Sequence, residues 1–230
     1  MSVRSIAGLF LVVVLAACGA EPTPSRPACP TAAPTAAEAD QVLTDAGIAT
    51  VRTNKGEFVI TLDATTAPIA TASFVSLARC GFYDQVTFHR VLAGFVIQAG
   101  DPQTRSNRDD FSGLGSGGPG YRYTVEFPSA SQPYLPYTVA MANAIKYDGS
   151  GQVTGGQDTN GSQFFIALSE LPLPPYYSVF GTVTSGTDVV DAIAALPVND
   201  PQVGVPLDPA IIEAITIAPA SARTSPSEGS

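Results

Sequence analysis

Apolar and polar residues alternate along much of the middle of the chain with the two-residue period of β-strands. In the stretch ATVRTNKGEFVITLD, residues 49–63, the alternation runs on both sides of the turn sequence Asn-Lys-Gly, which predicts a β-hairpin. Phe58, Ile60 and Leu62 would share one face of its second strand. Further short β-like runs lie at 86–91, 95–99, 137–141, 164–167, 179–183 and 211–217.

Two stretches have helical spacing instead. In APIATASFVSLARCGFYD, residues 67–84, Pro68 suits the first turn of a helix and Gly81 suits the position after its end. The second stretch, TDVVDAIAAL, covers residues 187–196. The whole pattern predicts a mainly β fold with about eight strands and two helices. A closed antiparallel barrel agrees with it, and an open sandwich fits nearly as well.

The first 18 residues have the pattern of an export signal. Arg4 precedes an apolar run at 6–15 that is too short to span a bilayer comfortably. The ending Leu-Ala-Ala-Cys resembles a bacterial lipoprotein signal, which implies cleavage before Cys18 and lipidation of its thiol. The protein would then be extracytoplasmic and lipid-anchored to the bacterial cell membrane. An ordinary signal peptide with an incidental cysteine is the alternative.

Two other segments are too poor in bulky apolar residues to build a core. Residues 19–46 are rich in Pro, Ala and Thr, and we expect a semi-extended tether there. Residues 219–230 have the composition of a disordered tail. One domain, 47–218, lies between them.

The charge and the metal-binding residue types narrow the possible functions. Charged residues make up 13% of the chain and the formal net charge is −9. An acidic protein repels phosphate backbones, so we expect no nucleic-acid binding. The chain has one His and three Cys, too few and too widely spaced for a metal site, so we also expect no metal.

Cys29 and Cys80 remain once Cys18 is set aside as the lipidated residue. An exported protein meets oxidising surroundings, in which the two could form a disulfide. Alternatively Cys80 is buried and Cys29 is free in the tether, and the sequence favours this second interpretation slightly.

The candidate chemistry begins in FHRVLAGFVIQAGDP, residues 88–102, where an arginine stands among apolar residues. In a strand, Phe88 and Arg90 point to one face, so the guanidinium needs a partner or a wet cleft. A structural explanation is a buried ion pair with Asp101 or Glu126.

Two further stretches combine amides with apolar residues in the same way. TNGSQFFIAL, residues 159–168, puts Gln163 and Phe165 on one strand face. YTVAMANA, residues 137–144, supplies Asn143 just after a short strand.

Five ordered motifs together resemble the cyclophilin-type peptidyl-prolyl isomerases. They are FHRVLAGFVIQAGDP, GSGGPGY, VAMANA, NGSQFFI and VFGTV, and the resemblance covers about residues 49–217. It implies a closed eight-stranded antiparallel barrel capped by two helices. It also implies a site on the outer surface, with no cofactor and no metal.

The resemblance also assigns the site residues. It implies that the catalytic residues are Arg90, Phe95 and Gln98. It implies that the substrate-binding residues are Val96, Ala142, Asn143, Gln163, Phe165, Leu173 and Tyr177. The single histidine, His89, is expected to be structural.

The chain departs from the family at one edge of the pocket and in one loop. It has no Trp, and Leu173 and Tyr177 occupy the region where well-known members carry Trp and His. We therefore expect weakened binding of cyclosporin-type ligands. Residues 145–158 lengthen the loop after Asn143, either to gate or select substrates or as a harmless surface insertion.

The resulting functional prediction is a monomeric isomerase that accelerates Xaa-Pro rotation in exported or cell-envelope proteins and so assists their folding. Its partners would be proline-containing segments of those proteins. Two other functions stay open at this point: a proline-binding module or chaperone with little turnover, and an exported solute-binding lipoprotein.

Overall fold

One antiparallel sheet dominates the structure, a computed structural model that describes residues 25–106, 113–129 and 132–220. The helices are α1 (Ala36–Leu43), α2 (Pro68–Arg79), α3 (Thr187–Ala194) and a 3₁₀ helix (Pro102–Arg105). The strands are β1 (Ile48–Thr53), β2 (Gly56–Leu62), β3 (Arg90–Leu92), β4 (Val96–Ala99), β5 (Thr138–Met141), β6 (Lys146–Tyr147), β7 (Val153–Gly155), β8 (Phe164–Ala167), β9 (Val179–Ser185) and β10 (Ile212–Ala218).

The eight-stranded sheet is curled and open, with the order β10-β1-β2-β9-β5-β8-β4-β3. The predicted closed barrel is therefore wrong, because β3 and β10 form no ladder with each other. Strand β3 has only three residues. The segment before it approaches β10 instead: Ile212 N donates to Val86 O at 2.8 Å and Phe88 N donates to Ala210 O at 2.9 Å. These isolated contacts span the gap between the two edge strands without a continuous ladder.

The concave side of the sheet holds the main core. Phe74 of α2 packs on Phe180 of β9 and Phe164 of β8, with ring centroids 4.8 and 5.6 Å apart. Helix α3 packs against β2, β3 and β4. Buried aromatic rings contribute a large apolar area each, so the contacts of Phe74 hold α2 on the sheet.

Helix α2 forms where the sequence predicts it. Pro68 occupies its first turn, and the carboxylate of Glu126 accepts from Ile69 N at 3.0 Å and Ala70 N at 2.8 Å. An anionic group at a helix N-terminus satisfies otherwise unpaired amides and interacts favourably with the helix dipole. Glu126 therefore has a structural role as the N-terminal cap of α2.

The segment before β1 differs from the expected tether. Residues 36–43 form α1, which packs against α2, and Thr35 and Glu38 form a capping box at its start. Arg79 donates from Nη1 to the carbonyl oxygen of Val42 at 3.0 Å. The Pro-, Ala- and Thr-rich composition of this segment did not predict a helix. The capping signature Thr-x-x-Glu is a weak signal by itself, and the surface on which α1 packs lies on α2. The described residues thus form three α-helices rather than two.

A disulfide bond between Cys29 and Cys80 ties the same segment to the end of α2. Of the two states that the sequence left open, the structure has the bonded one. The link closes a loop with a sequence separation of 51 residues.

Within the described residues, none of the helices has the length and apolar character needed to cross a membrane. The expected signal peptide 1–18 with Cys18, and residues 221–230 of the expected tail, lie outside the described residues. Those expectations stay predictions.

Candidate active site

Arg90 lies on the outer face of the sheet, at the start of the edge strand β3. Its register partner on β4 is Gln98, and its Nη1 lies 3.5 Å from Gln98 Oε1. The side chain is half-buried. Burial lowers the pKa of the Arg90 guanidinium, while its interaction with Tyr177 raises it. The group is thus a partly desolvated cation held beside an amide rather than beside an anion.

Neither carboxylate that the sequence suggested as an ion-pair partner reaches Arg90. Asp101 is fully buried and accepts from the backbone amides of Gln103, Gly115 and Gly117 at 2.9, 2.7 and 3.2 Å. Glu126 caps α2. None of the ion pairs in the described parts of the chain involves Arg90. The structural explanation for this arginine is therefore wrong.

Arg90, Gln98 and Gln163 form a row of polar side chains across the sheet, which we call the polar row. Gln98 Nε2 donates to Gln163 Oε1 at 2.9 Å, and Gln163 Nε2 donates to the carbonyl oxygen of Gly117 at 2.8 Å. Each amide is thereby held in one orientation, with the oxygen of Gln98 facing Arg90. The end of this row, Gly117, belongs to the loop that Asp101 holds, a role that the sequence analysis missed.

An apolar surface lies next to the polar row. Phe165 is the register partner of Gln98 on one side and of Ala140 on the other. It packs in a cluster separate from the main core, which we call the outer apolar cluster. Its members are Val96, Tyr134, Ala140, Phe165, Ala167, Leu171 and Val179, with Phe95, Ala142, Leu173 and Tyr177 packed against them.

Tyr177 forms one wall of the outer apolar cluster. Its ring meets Phe165 edge to face at 5.3 Å and an interplanar angle of 88°. Tyr134, which the sequence analysis missed, supports it: Tyr177 N donates to Tyr134 Oη at 3.2 Å, and Tyr134 Oη donates to Pro174 O at 3.2 Å. Burial raises the pKa of Tyr134 to about 12. Tyr134 is placed by an isolated β-bridge to Leu171, which is distant in the sequence. No local sequence pattern therefore predicts its role.

Asn143 stands at the other side of the site, and both polar atoms of its side chain form hydrogen bonds. Its Nδ2 donates to Tyr176 O at 2.6 Å, and its Oδ1 accepts from Ile145 N at 3.1 Å. In the part of the chain that the structure describes, the backbone amide and carbonyl of Asn143 make no hydrogen bond. They are therefore available to an extended peptide.

A groove of about 740 Å³ continues from the polar row. Its lining includes Gln98, Gln163, Ala142 and Asn143, together with the glycine-rich loop 115–118. The site thus has an apolar surface, the Arg90 cation and an adjoining groove with backbone groups, whose lining also includes Arg122. Such a surface suits a peptide segment with an apolar ring at its centre.

His89 lies outside this arrangement. Strand geometry turns it to the opposite face from Arg90, and it is buried. Burial lowers the pKa of His89, and the charge of Asp101 raises it. Among the described residues, no three His, Cys, Asp or Glu side chains are grouped as metal ligands.

Comparisons with known proteins agree with this geometry. The family model for the cyclophilin type peptidyl-prolyl cis-trans isomerases matches residues 48–217. The chain is 39% identical over 189 residues to the probable peptidyl-prolyl cis-trans isomerase A of Mycobacterium leprae, covering 74% of this chain and 91% of that protein. It is 38% identical over 187 residues to peptidyl-prolyl cis-trans isomerase B of Streptomyces anulatus, covering 74% and 95%.

Solved structures give the same result. A crystal structure of a cyclophilin type peptidyl-prolyl cis-trans isomerase of Cryptosporidium parvum matches with a TM-score of 0.62 at 28% identity, covering 75% of this chain and 97% of that one. The same protein in the presence of the dipeptide Ala-Pro matches with a TM-score of 0.61. The chain therefore belongs to the cyclophilin-type peptidyl-prolyl cis-trans isomerases.

Proposed function

We propose that Arg90 is the catalytic residue of this isomerase and that it acts on the twisted amide. The barrier to rotation about a peptide bond is about 18–20 kcal/mol, because the nitrogen shares its lone pair with the carbonyl. In the twisted state the proline nitrogen regains that lone pair and can accept a hydrogen bond. Arg90 then donates to it, and the interaction favours the transition state over both planar forms. No covalent bond forms or breaks.

The observation that carries this role is a guanidinium without a carboxylate partner beside an apolar surface. Arg90 faces Gln98, whose register neighbour is Phe165 of the outer apolar cluster. A fixed donor in a poorly hydrated site is worth more than the same donor in water. Arginine suits this task because it stays charged and holds its donors in a rigid fork.

The outer apolar cluster is the proposed binding surface for the proline ring. Val96, Phe95 and Phe165 hold the ring, and Leu173 and Tyr177 border it. With the ring fixed, the preceding carbonyl swings while the nitrogen stays near Arg90. Support for a proline ligand comes from the Cryptosporidium relative, which was crystallised in the presence of Ala-Pro.

The remaining site residues position the peptide. Gln98 orients Arg90 and can bind the substrate carbonyl, while Gln163 holds Gln98. The backbone of Asn143 pairs with the peptide, and Ala142 keeps the adjoining groove open.

Turnover of a proline peptide by two arginine variants tests this assignment. Arg90→Ala should lose most of the isomerase rate and keep the unfolding transition of the unmodified protein. Arg52→Ala, which removes an exposed arginine on β1, is the matched control and should keep the rate. Near-normal turnover by Arg90→Ala, measured by exchange NMR on a peptide substrate, would remove Arg90 from the mechanism.

We also propose that the isomerase works outside the cytoplasm on exported proteins, anchored by lipid at Cys18. The signal-like sequence 1–18 supports this, and so does the Cys29–Cys80 disulfide, since disulfides persist in oxidising compartments. Cell fractionation in a bacterial host tests it. The full chain should sediment with membranes and Cys18→Ala should not; equal fractionation of both would contradict the anchor.

A further inference from the structure

The insertion after Asn143 is an ordered β-hairpin. Strands β6 and β7 pair antiparallel. At the tip, the carboxylate of Asp148 accepts from Ser150 N at 2.9 Å, Ser150 Oγ at 2.7 Å and Gln152 N at 3.0 Å. These bonds hold the pKa of Asp148 below its usual range. The turn is thus closed by its own side chain.

The base of the hairpin is fixed to the wall of the groove. Ala144 N donates to Thr159 Oγ1 at 2.9 Å. Gly156 has a φ of +83°, and a Cβ at this residue would lie 2.2 Å from the carbonyl oxygen of Ala144. Only glycine allows the returning strand to pass so close, and the close approach sets the direction in which the hairpin leaves the groove.

The hairpin carries an exposed tyrosine to two other aromatic rings. The ring centroid of Tyr147 is 6.1 Å from that of Tyr176, and the ring centroid of Phe127 is 6.0 Å from that of Tyr176. Tyr147 is 58% exposed and Phe127 is 47% exposed. We call Phe127, Tyr147 and Tyr176 the aromatic ridge. The hydroxyl of Tyr176 donates to the carbonyl oxygen of Gly151, which ties the ridge to the hairpin tip.

The aromatic ridge continues the surface of the active site. The carbonyl of Tyr176 accepts the 2.6 Å hydrogen bond from Asn143, and the next residue, Tyr177, forms the wall of the outer apolar cluster. Burial raises the pKa of Tyr177, Tyr147 raises it further, and Arg90 lowers it. Tyr177 therefore lies within electrostatic reach of both the catalytic arginine and the hairpin tyrosine.

We propose that the aromatic ridge is a binding subsite for an aromatic side chain next to the target proline of the same substrate peptide. The inference rests on the proposed function of Arg90 and the outer apolar cluster. A peptide bound at the outer apolar cluster and on the backbone of Asn143 would pass over Tyr176. The neighbouring Tyr147 and Phe127 side chains present ring surface and no charge. Aromatic rings pack favourably on such surfaces beyond the area that they bury.

Exchange NMR on matched peptides tests the subsite with the full-length protein. The peptides differ only by Phe or Ala at one position next to proline, in one pair before it and in one pair after it. The unmodified protein should give a kcat/KM ratio of Phe to Ala of about two- to tenfold in at least one pair. Tyr147→Ala should bring that ratio close to one. Tyr147→Phe should keep it, and so should Lys146→Ala, the control for the neighbouring exposed side chain of β6.

Two outcomes would overturn the subsite. One is a ratio close to one in both pairs for the unmodified protein, and the other is an unchanged ratio in Tyr147→Ala. If Tyr147→Ala keeps the ratio but abolishes a dimer seen in sedimentation, the ridge binds a second copy instead. Failure of the proposed function itself looks different: Arg90→Ala would retain normal turnover of the Ala peptides.

Discussion

Gln98 Nε2 donates a 2.9 Å hydrogen bond to Gln163 Oε1, and this bond decides which end of the Gln98 amide faces Arg90. With its nitrogen engaged by Gln163, Gln98 presents its oxygen to the guanidinium at 3.5 Å. The reversed amide would place two donors against each other. Gln163 is in turn held by the carbonyl oxygen of Gly117. The orientation of Arg90 is therefore set by a residue that adjoins β8, two strands away from β3.

The first prediction concerns Gln163 as a positioning residue. Gln163→Met keeps the volume but frees the Gln98 amide to rotate, so kcat should fall about two- to tenfold, the effect of one lost hydrogen bond. KM for a proline peptide should change less than kcat, because the outer apolar cluster stays intact. Exchange NMR at several peptide concentrations separates the two. A change in KM alone would assign Gln163 to binding rather than to positioning.

The second prediction concerns the Cys29–Cys80 disulfide. In the chain-entropy model, closing a loop of this size contributes about 4 kcal/mol to the free energy of unfolding. The double variant Cys29→Ser, Cys80→Ser should therefore unfold at a much lower urea concentration. The unmodified protein in reductant should match it, which serves as the control. Coincident urea transitions with and without reductant would show that the bond adds no stability.

Local signals in the sequence predict much of this molecule correctly. Helix α2 follows from Pro68 and from apolar spacing, and the β1–β2 hairpin follows from strict alternation around a turn. Three of the site residues, Arg90, Gln98 and Phe165, come together because each lies in a strand whose face the alternation already sets. Arg90, Gln98 and Phe165 accordingly share a single row across three strands.

The parts that the sequence did not predict depend on long-range partners. The sheet stays open because only isolated contacts join residues 86–88 to 210–212. The alternation of apolar and polar residues does not predict how closely these two segments approach. Helix α1 is stabilised by its packing on α2, which a Pro- and Ala-rich composition does not reveal. The support of Tyr177 by Tyr134 joins residues 43 positions apart.

The third prediction concerns cyclosporin-type ligands. Leu173 and Tyr177 border the outer apolar cluster, and Leu173 offers neither an indole surface nor an indole N–H donor. The protein should therefore bind cyclosporin more weakly than Leu173→Trp does, by several-fold. Calorimetric titration of both proteins measures the difference, with Leu173→Phe as the control that adds a ring without the donor. Equal affinity of all three proteins would contradict this explanation.

The last prediction concerns pH and the single histidine. Burial lowers the pKa of His89 in the folded protein below its ordinary value, although the charge of Asp101 opposes the shift. As the pH falls through 6.5, the unfolded chain takes up a proton that the folded protein does not yet bind. The free energy of unfolding should therefore decrease as the pH is lowered through 6.5, by at most about 1.4 kcal/mol per pH unit for one proton.

Urea unfolding at pH 8, 7 and 6 measures this slope, and His89→Gln is the matched control because it removes the only histidine of the chain. Protonation of Glu126 has the opposite effect on stability. Burial raises the pKa of Glu126, so its protonation on acidification stabilises the folded state. The slope should be steeper in the unmodified protein than in the variant. Equal slopes would mean that His89 protonates alike in both states, and a shallower slope in the unmodified protein would reverse the sign of its shift.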